Sequence, residues 1–508
     1  MKYDIRIVNA NIIDGTGKKA FAGEVGIKDG FIRKVDRTVS GEAAAEIDAK
    51  GDALSPGFID LHTHCAQDIS INYLQQGVTT VLSGNCGFGY GRISTRITDI
   101  KGKAQDGKIP VMGPNFALLA GHNTIRMMVM NRDNRAPSRS EMEKMKKIVR
   151  EQVKEGAFGF STGLSYVPGA YSRTEEIIEL TKELRGTKGF YCSHMRNEGA
   201  GVVESVEEML EIEKGAQAPV HISHHKVCGI KNWGKSRKTI SLIKKARKEG
   251  IDITLDQYPY TASCGTIQLL MPTYAGEGGP EEIRARLRDR RKEILEDVLE
   301  KLDNYYGNDL SRVVFVNCQP HPSLSGKTLA DAAKLYGRKP DAVGGAETAL
   351  DIIQANPVHG ATMMVSHSMS EEEVEYILKY PETCVASDGW TVPLNSGHPH
   401  PRLYGTFPRV ISFYSREKGI LRIEDAVKRM TQLPALRMGL TDRGVIKEDA
   451  RADIAIWNPE KIKDKATYKK PHQYPTGIDY VIVNGQLTLK KGKATGNYAG
   501  MFLTRKDR

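Results

Sequence analysis

From Phe58 to Ser387 the chain alternates short apolar runs that end in polar residues with longer stretches of helical period, and few folds accept that order. The apolar runs are Phe58 to His64, Thr79 to Ser83, Phe158 to Ser161, Phe190 to Ser193, Val220 to Ser223, Ile251 to Asp256 and Thr383 to Ser387. Helical patterns lie between them, among others at Ser140 to Glu155, Thr174 to Leu184 and Ser236 to Glu249. Strand, helix and strand in repetition imply a parallel sheet. No Gly-x-Gly-x-x-Gly opens a helix, and polar residues end nearly every run. The expected class is therefore α/β, a (β/α)8 TIM-like barrel whose site gathers at the C-terminal ends of the strands. Val111 to Leu118 and Ala361 to His367 raise the number of candidate strands to nine, so one is surplus or lies outside the barrel.

The two ends of the chain read differently. Residues 1–55 are short alternating runs broken by glycine turns, with Asp29-Gly30 as a hairpin signal, and residues 443–508 repeat the style, with an Asn484-Gly485 turn. Neither end is long enough for a good core alone, so the two are expected to form one small β-sandwich domain interrupted by a barrel over 56–442. Residues about 273–345, which include the highly charged stretch Glu281 to Leu302, are expected as an insertion over the barrel mouth.

A chain of 508 residues with 40% hydrophobic and 27% charged residues can bury a large core. It has no apolar run near the roughly 20 residues that a membrane helix needs. The start, Met1 to Val8, alternates like a strand and lacks a secretory pattern, and the seven cysteines are odd in number and scattered, so a cytoplasmic protein without a disulfide framework is expected. Net charge is +11, but Lys and Arg are spread along the chain and fall on helical faces, which argues against a nucleic-acid partner.

The strand ends carry the chemistry. His62 and His64 follow Pro56-Gly57 and a buried run; with one residue between them, both imidazoles project the same way. Cys86 in Gly84-Asn85-Cys86-Gly87, His194 in Ser193-His194-Met195-Arg196, His224 and His225 in Ser223-His224-His225-Lys226, and Asp388 in Ser387-Asp388-Gly389 end four further runs. Cys, His and Asp are zinc-ligand types, and a catalytic zinc takes three of them and keeps a position open. A lone Cys86, His225 or His122 would be an ordinary core residue; together, at separate strand ends, these side chains converge on one barrel face.

These residues resemble a known family. Pro56 to His64, Gln76-Gly77-Val78-Thr79-Thr80-Val81, Gly84-Asn85-Cys86-Gly87, His194 to Glu198, Ile222 to Lys226, Tyr258-Pro259-Tyr260, Ser387-Asp388-Gly389 and His400 to Arg409 together are similar to the D-aminoacylase branch, the N-acyl-D-amino-acid deacylases, of the amidohydrolase superfamily. The resemblance covers nearly the whole chain. It implies a tightly held zinc on Cys86, His194 and His224, and a weaker second metal position at His62, His64 and Asp388. It also implies Asp388 as the catalytic base, Arg402 and Lys226 as holders of the substrate α-carboxylate, and Tyr166 and Tyr258 as hydroxyl donors. The partner implied is a small N-acyl-D-amino acid; a homo-oligomer is allowed. Two departures stand out: the segment from His64 to Cys86 is about five residues short of the family pattern, and Cys65 replaces its usual acidic residue.

A binuclear cyclic amidohydrolase of the dihydroorotase or hydantoinase kind is the second enzyme reading. It calls for a carboxylated lysine after a mid-barrel strand, where this chain has Phe160-Ser161-Thr162-Gly163-Leu164. A catalytically dead scaffold is the third, and it should have lost ligands that are all present here. For the substrate side chain, Leu269, Leu270, Met271 and Trp390 favour apolar or mixed groups over D-Glu or D-Asp.

Overall fold

The computed structural model describes residues 2–65, 70–95, 98 and 112–505. The chain opens with β1 (Tyr3–Ile12), β2 (Phe21–Lys28), β3 (Phe31–Asp36), β4 (Ala43–Asp48) and β5 (Ala53–Pro56). The barrel then takes β6 (Phe58–Asp60), β7 (Val78–Ser83), β8 (Asn115–Leu118), β9 (Ala120–Gly121), β10 (Gly159–Gly163), β11 (Phe190–His194), β12 (Val220–Ile222) and β13 (Ile253–Gln257). Next come β14 (Ser263–Thr266), β15 (Val313–Cys318) and β16 (Thr362–Ser366), and then the last barrel strand, β17 (Thr383–Val385). The chain closes with β18 (Ile454–Trp457), β19 (Ile478–Val483), β20 (Gln486–Lys490) and β21 (Lys493–Ala494).

Because β8 and β9 are one strand interrupted at Leu119, the parallel ladders β6-β7-β8 and β9-β10-β11-β12-β13-β17 supply eight barrel positions. Just past the strand ends a parallel bridge between Thr63 and Gly389 joins the last strand to the first. Nearly every barrel-strand position is buried, as expected of a parallel sheet whose outer face is covered by helices and whose inner face packs into the barrel core. The helix Arg139–Glu155 shows the outer layer: Ser138 and Glu141 form a capping box at its start, Gly156 ends it at φ 117°, and its apolar face buries Met145 and Val149.

Of the nine candidate strands, the surplus one is Ala361 to His367. Its residues form β16, which lies antiparallel between β14 and β15 outside the barrel, because a short apolar run does not specify which sheet it joins. Val111, the expected start of another, and residues 66–69 of the shortened segment lie outside the described residues. The connection from β13 to β17 contains 273–345 and has its own apolar cluster, including Leu287, Ile294, Val298, Leu302 and Phe315.

Both chain ends enter one nine-stranded sheet, ordered β21-β20-β19-β18-β5-β1-β2-β3 with β4 on β1. The small β domain is thus built from both ends; β18 pairs antiparallel with β5, and the Trp457 indole donates to Ser55 Oγ at 3.0 Å. Asn484 and Gly485 both take positive φ, 48° and 79°, between β19 and β20, the conformation that a two-residue hairpin demands.

Two buried side chains align the strand ends that carry the site. Asp60 Oδ1 accepts from the backbone N–H of His62 at 3.1 Å and of Ser387 at 3.0 Å, tying β6 to β17. Burial pushes its carboxyl up to about 7. Asn85 Nδ2 donates to the carbonyls of Leu82 (3.0 Å), Leu61 (3.3 Å) and Thr63 (3.4 Å), tying β6 to β7.

Candidate active site

Six side chains from five strand ends meet at the C-terminal face of the barrel. Cys86 Sγ lies 3.4 Å from His62 Nε2, 3.5 Å from His224 Nε2 and 3.9 Å from His194 Nδ1. His194 Nδ1 and His224 Nε2 are 3.0 Å apart. On the other side, Asp388 Oδ1 is 3.1 Å from His64 Nε2 and 3.5 Å from His62 Nε2. His62 therefore stands between two donor groups: Cys86, His194 and His224 on one side, His64 and Asp388 on the other.

The backbone is strained where it serves this arrangement. Cys86, His224 and Asp388 take φ of 54°, 37° and 50°, left-handed values uncommon outside glycine. Such conformations persist only where the surroundings hold them, and they cluster at functional sites. Here they are held: Asp388 N donates to His62 O at 2.9 Å and His224 N to Asp256 Oδ1 at 2.6 Å.

The donor set fits a zinc ion. Tetrahedral zinc with bonds of about 2.0–2.3 Å places its donors about 3.3–3.6 Å apart, close to the 3.0–3.9 Å spread of Cys86, His194 and His224. Burial drives the His194 imidazole down to about 3 and holds His62 well below its usual range, so both offer neutral lone pairs. The same burial pushes the Cys86 thiol up, and a cation is what would make its thiolate stable.

A carboxylate absent from the predicted set sits behind the imidazoles. Glu198 Oε2 is 3.3 Å from His194 Nε2, and Glu198 Oε1 is 3.2 Å from His224 Nδ1 and accepts from Lys226 Nζ at 2.6 Å. It faces, on each ring, the nitrogen turned away from Cys86, and for His194 this favours the tautomer a metal needs; His224 Nδ1 also has Lys226 Nζ at 2.7 Å. Burial opposes its charge, but His194, Lys226 and His224 hold it below the ordinary carboxylate range. The sequence places it four residues after His194, a spacing that gives it no role by itself. Asp256 was missed too: besides His224 N, it accepts from His221 Nε2 at 2.7 Å.

Arg402 is buried with Nη1 2.8 Å from Asp388 Oδ2, and its guanidinium lies 4.8 Å from the Tyr258 ring and 5.7 Å from that of Trp390. Among the described residues neither Nε nor Nη1 makes a well-aligned hydrogen bond, and the buried Tyr258 hydroxyl has no hydrogen-bond partner. Burial pushes the Asp388 carboxyl up, but Arg402 and the neighbouring imidazoles outweigh it and keep the group ionised. Lys226 Nζ points to Glu198 and to His224 O, at 2.6 and 2.9 Å. The Tyr166 ring lies 4.7 Å from that of His194. Two histidines outside the predicted set have plain structural partners, His225 with Thr239 Oγ1 at 2.8 Å and His122 with Glu176 at 2.9 Å. Cys65 is buried, and its carbonyl accepts from Ser83 Oγ.

A cavity of about 270 Å³ opens over these groups, lined by Tyr166, His194, Glu198, His224, Lys226 and Asp388. Leu269, Leu270 and Met271 form part of its wall, whereas Trp390 packs over Arg402.

A (β/α)8 barrel with Cys, His and Asp converging at its strand ends defines a hydrolase of the metal-dependent barrel class. A model of the amidohydrolase family matches residues 45–489. D-aminoacylase of Alcaligenes xylosoxydans xylosoxydans is 31% identical over 99% of this chain and 98% of its own length. A solved structure of D-aminoacylase, concerned with its binuclear metal centre and with one-metal activation and second-metal attenuation, superposes with a TM-score of 0.83 at 31% identity, covering 99% of this chain and all of that one. N-acyl-D-glutamate deacylase from Bordetella bronchiseptica, in complex with zinc and a phosphonate mimic of the tetrahedral intermediate, gives 0.81 at 31% identity over 99% of this chain and 100% of its own. The chain belongs to the D-aminoacylase branch of the amidohydrolase family.

Proposed function

We propose that this protein is a zinc-dependent hydrolase of N-acyl-D-amino acids, releasing a carboxylate and the free D-amino acid. The observation that carries this reading is the juxtaposition of six metal-donor side chains with a buried arginine that reaches Asp388 through Nη1 and whose Nε has no hydrogen-bond partner among the described residues. Cys86, His194 and His224 hold the tight zinc, and His62, His64 and Asp388 form the weaker second position. Zinc held there supplies Lewis acidity toward water and toward the amide carbonyl.

The side chains divide the remaining work. Asp388, ionised and 9% exposed, takes a proton from the attacking water and returns it to the nitrogen as the C–N bond breaks. Arg402 binds the substrate α-carboxylate as a fork, and its contact with Asp388 sets that carboxylate beside the base. Tyr258 and Tyr166 offer hydroxyl groups to the carboxylate or to the developing oxyanion. Lys226 acts from behind, through Glu198 and His224; its charge reaches the substrate as a point charge. The cyclic-amide alternative is disfavoured by β10, Gly159–Gly163, which has no lysine to bridge two metals.

We place 1–55 and 443–508 in the small β domain and 56–442 in the catalytic barrel, with about 273–345 as the insertion that roofs the cavity. Among the described residues no helix is long and apolar enough to cross a membrane. None of the seven cysteines is in a disulfide, which suits the cytoplasm; the partner is the small-molecule substrate rather than nucleic acid, and assembly as a homo-oligomer is compatible with this reading. The test is release of free amino acid from N-acetyl-D- and N-acetyl-L-amino acids by the zinc-loaded protein. Turnover of D substrates with little on the L series is expected; preference for L, or action only on amides without a free carboxylate, would overturn the assignment.

A further inference from the structure

The charges that line the cavity are unevenly paired. Its two carboxylates are committed, Glu198 to Lys226 and the imidazoles and Asp388 to His64 and Arg402. Of its cations, Lys226 is matched by Glu198 and Arg196 by Glu208, at 2.6 and 2.7 Å. Lys301, on the helix Arg291–Tyr306, and Arg132 also line the cavity, and among the described residues no carboxylate lies within ion-pair distance of either. The nearest aromatic neighbour of Lys301 is the Tyr305 ring, 5.5 Å from Nζ. Tyr305 in turn packs on the loop that carries Glu198, since a Cβ on Gly199 would lie 2.6 Å from the Tyr305 hydroxyl. Cys228, two residues past Lys226, lines the same wall.

A half-buried ammonium without a counter-ion is costly, and charges withdrawn from water are normally paired. A cavity with such a wall draws an anion into it. Arg402 answers the α-carboxylate, so Lys301 and Arg132 are left for another negative group, and Lys301 is the one whose ammonium burial disfavours. We propose that the preferred substrate carries a second carboxylate, recognised by Lys301. The inference rests on the deacylase reading above and narrows its substrate class, away from the apolar side chains that Leu269, Leu270 and Met271 suggest. Burial draws the Lys301 ammonium down to about 8, as expected of a lysine that lacks its partner. The second carboxylate has two sources, the amino-acid side chain, as in N-acyl-D-glutamate or N-acyl-D-aspartate, or a dicarboxylic acyl group such as N-succinyl.

The experiment compares kcat/KM of the zinc-loaded full-length enzyme on matched pairs. N-acetyl-D-glutamate against N-acetyl-D-glutamine reads the side-chain source, and N-succinyl-D-alanine against N-butyryl-D-alanine reads the acyl source. A charge-assisted hydrogen bond predicts a preference of about tenfold or more for the charged member of one pair. Lys301→Met should shrink that ratio by about the same factor, and Lys301→Arg should keep most of it. If Lys301→Met does not fold, the wild-type ratio and Lys301→Arg still decide. No preference in either pair, or a loss in Lys301→Met that strikes charged and neutral members alike, overturns the role of Lys301 while the deacylase reading stands. Absence of turnover on every N-acyl-D-amino acid would instead remove the reading on which it rests.

Discussion

Glu198 is where a single residue tests the site most sharply, because it touches both imidazoles on their far nitrogens and takes the Lys226 charge. Glu198→Gln keeps the shape and removes the negative charge, and loss of such an orienting carboxylate typically weakens metal binding about 10–100-fold. Competition against a zinc chelator measures this, and unchanged affinity would contradict the arrangement. Asp388→Asn should keep the tight zinc and lose about 10²–10⁴ in kcat, since an amide cannot take the proton from water; near-normal turnover in single-turnover kinetics would move the base elsewhere. His62, His64, Cys86, His194, His224 and Asp388 were legible in the sequence because each ends an apolar run, and a barrel gathers strand ends. Glu198 and Asp256 were not, because a carboxylate that orients another side chain is defined by partners from different strands. For Lys226 the sequence shows a charge beside two histidines and nothing of the Glu198 that engages it.

At the scale of elements, the strand ends are held together by side chains as much as by the ladders. Asn85 gives one amide to carbonyls of β7 and of the chain just past β6, and it is buried. Asn85→Ala removes a shared donor from three buried carbonyls, of which Leu82 O keeps the Thr63 N–H and hydroxyl, and should cost about 1–3 kcal/mol. The melting temperature should fall, and zinc affinity with it, because the same segments carry His62, His64 and Cys86; a variant as stable as the wild type would show that backbone pairing alone suffices. The elements themselves were read unevenly from sequence. The Asn484-Gly485 hairpin and the capped helix after Ser138 announce themselves through local chemistry, positive φ and a reciprocal cap. β16 misled because Met363, Met364 and Val365 look like any buried strand, and its antiparallel partners, β14 and β15, are set by residues distant in sequence.

For the whole molecule, the chain leaves the small β sheet at Pro56, completes the barrel and returns to the same sheet at Ile454. The first and last barrel strands are joined at their ends by Asp60 and by the Thr63 to Gly389 bridge, so the contacts that close the barrel also set His62 and His64 beside Asp388. The sequence shows the alternation that makes such a barrel and the donors that crown it, whereas the cavity roof depends on how residues 258–382 pack, which no local pattern encodes. The central claim is that Cys86, His194 and His224 hold the zinc that makes this barrel a deacylase. The most direct measurement is zinc content and turnover of an N-acetyl-D-amino acid in stripped protein titrated with zinc, beside Cys86→Ala shown to be folded by circular dichroism. The wild type should take up about one equivalent tightly and gain turnover as it fills, while Cys86→Ala does neither. Full turnover in the stripped wild type, or wild-type zinc uptake by Cys86→Ala, would contradict the account.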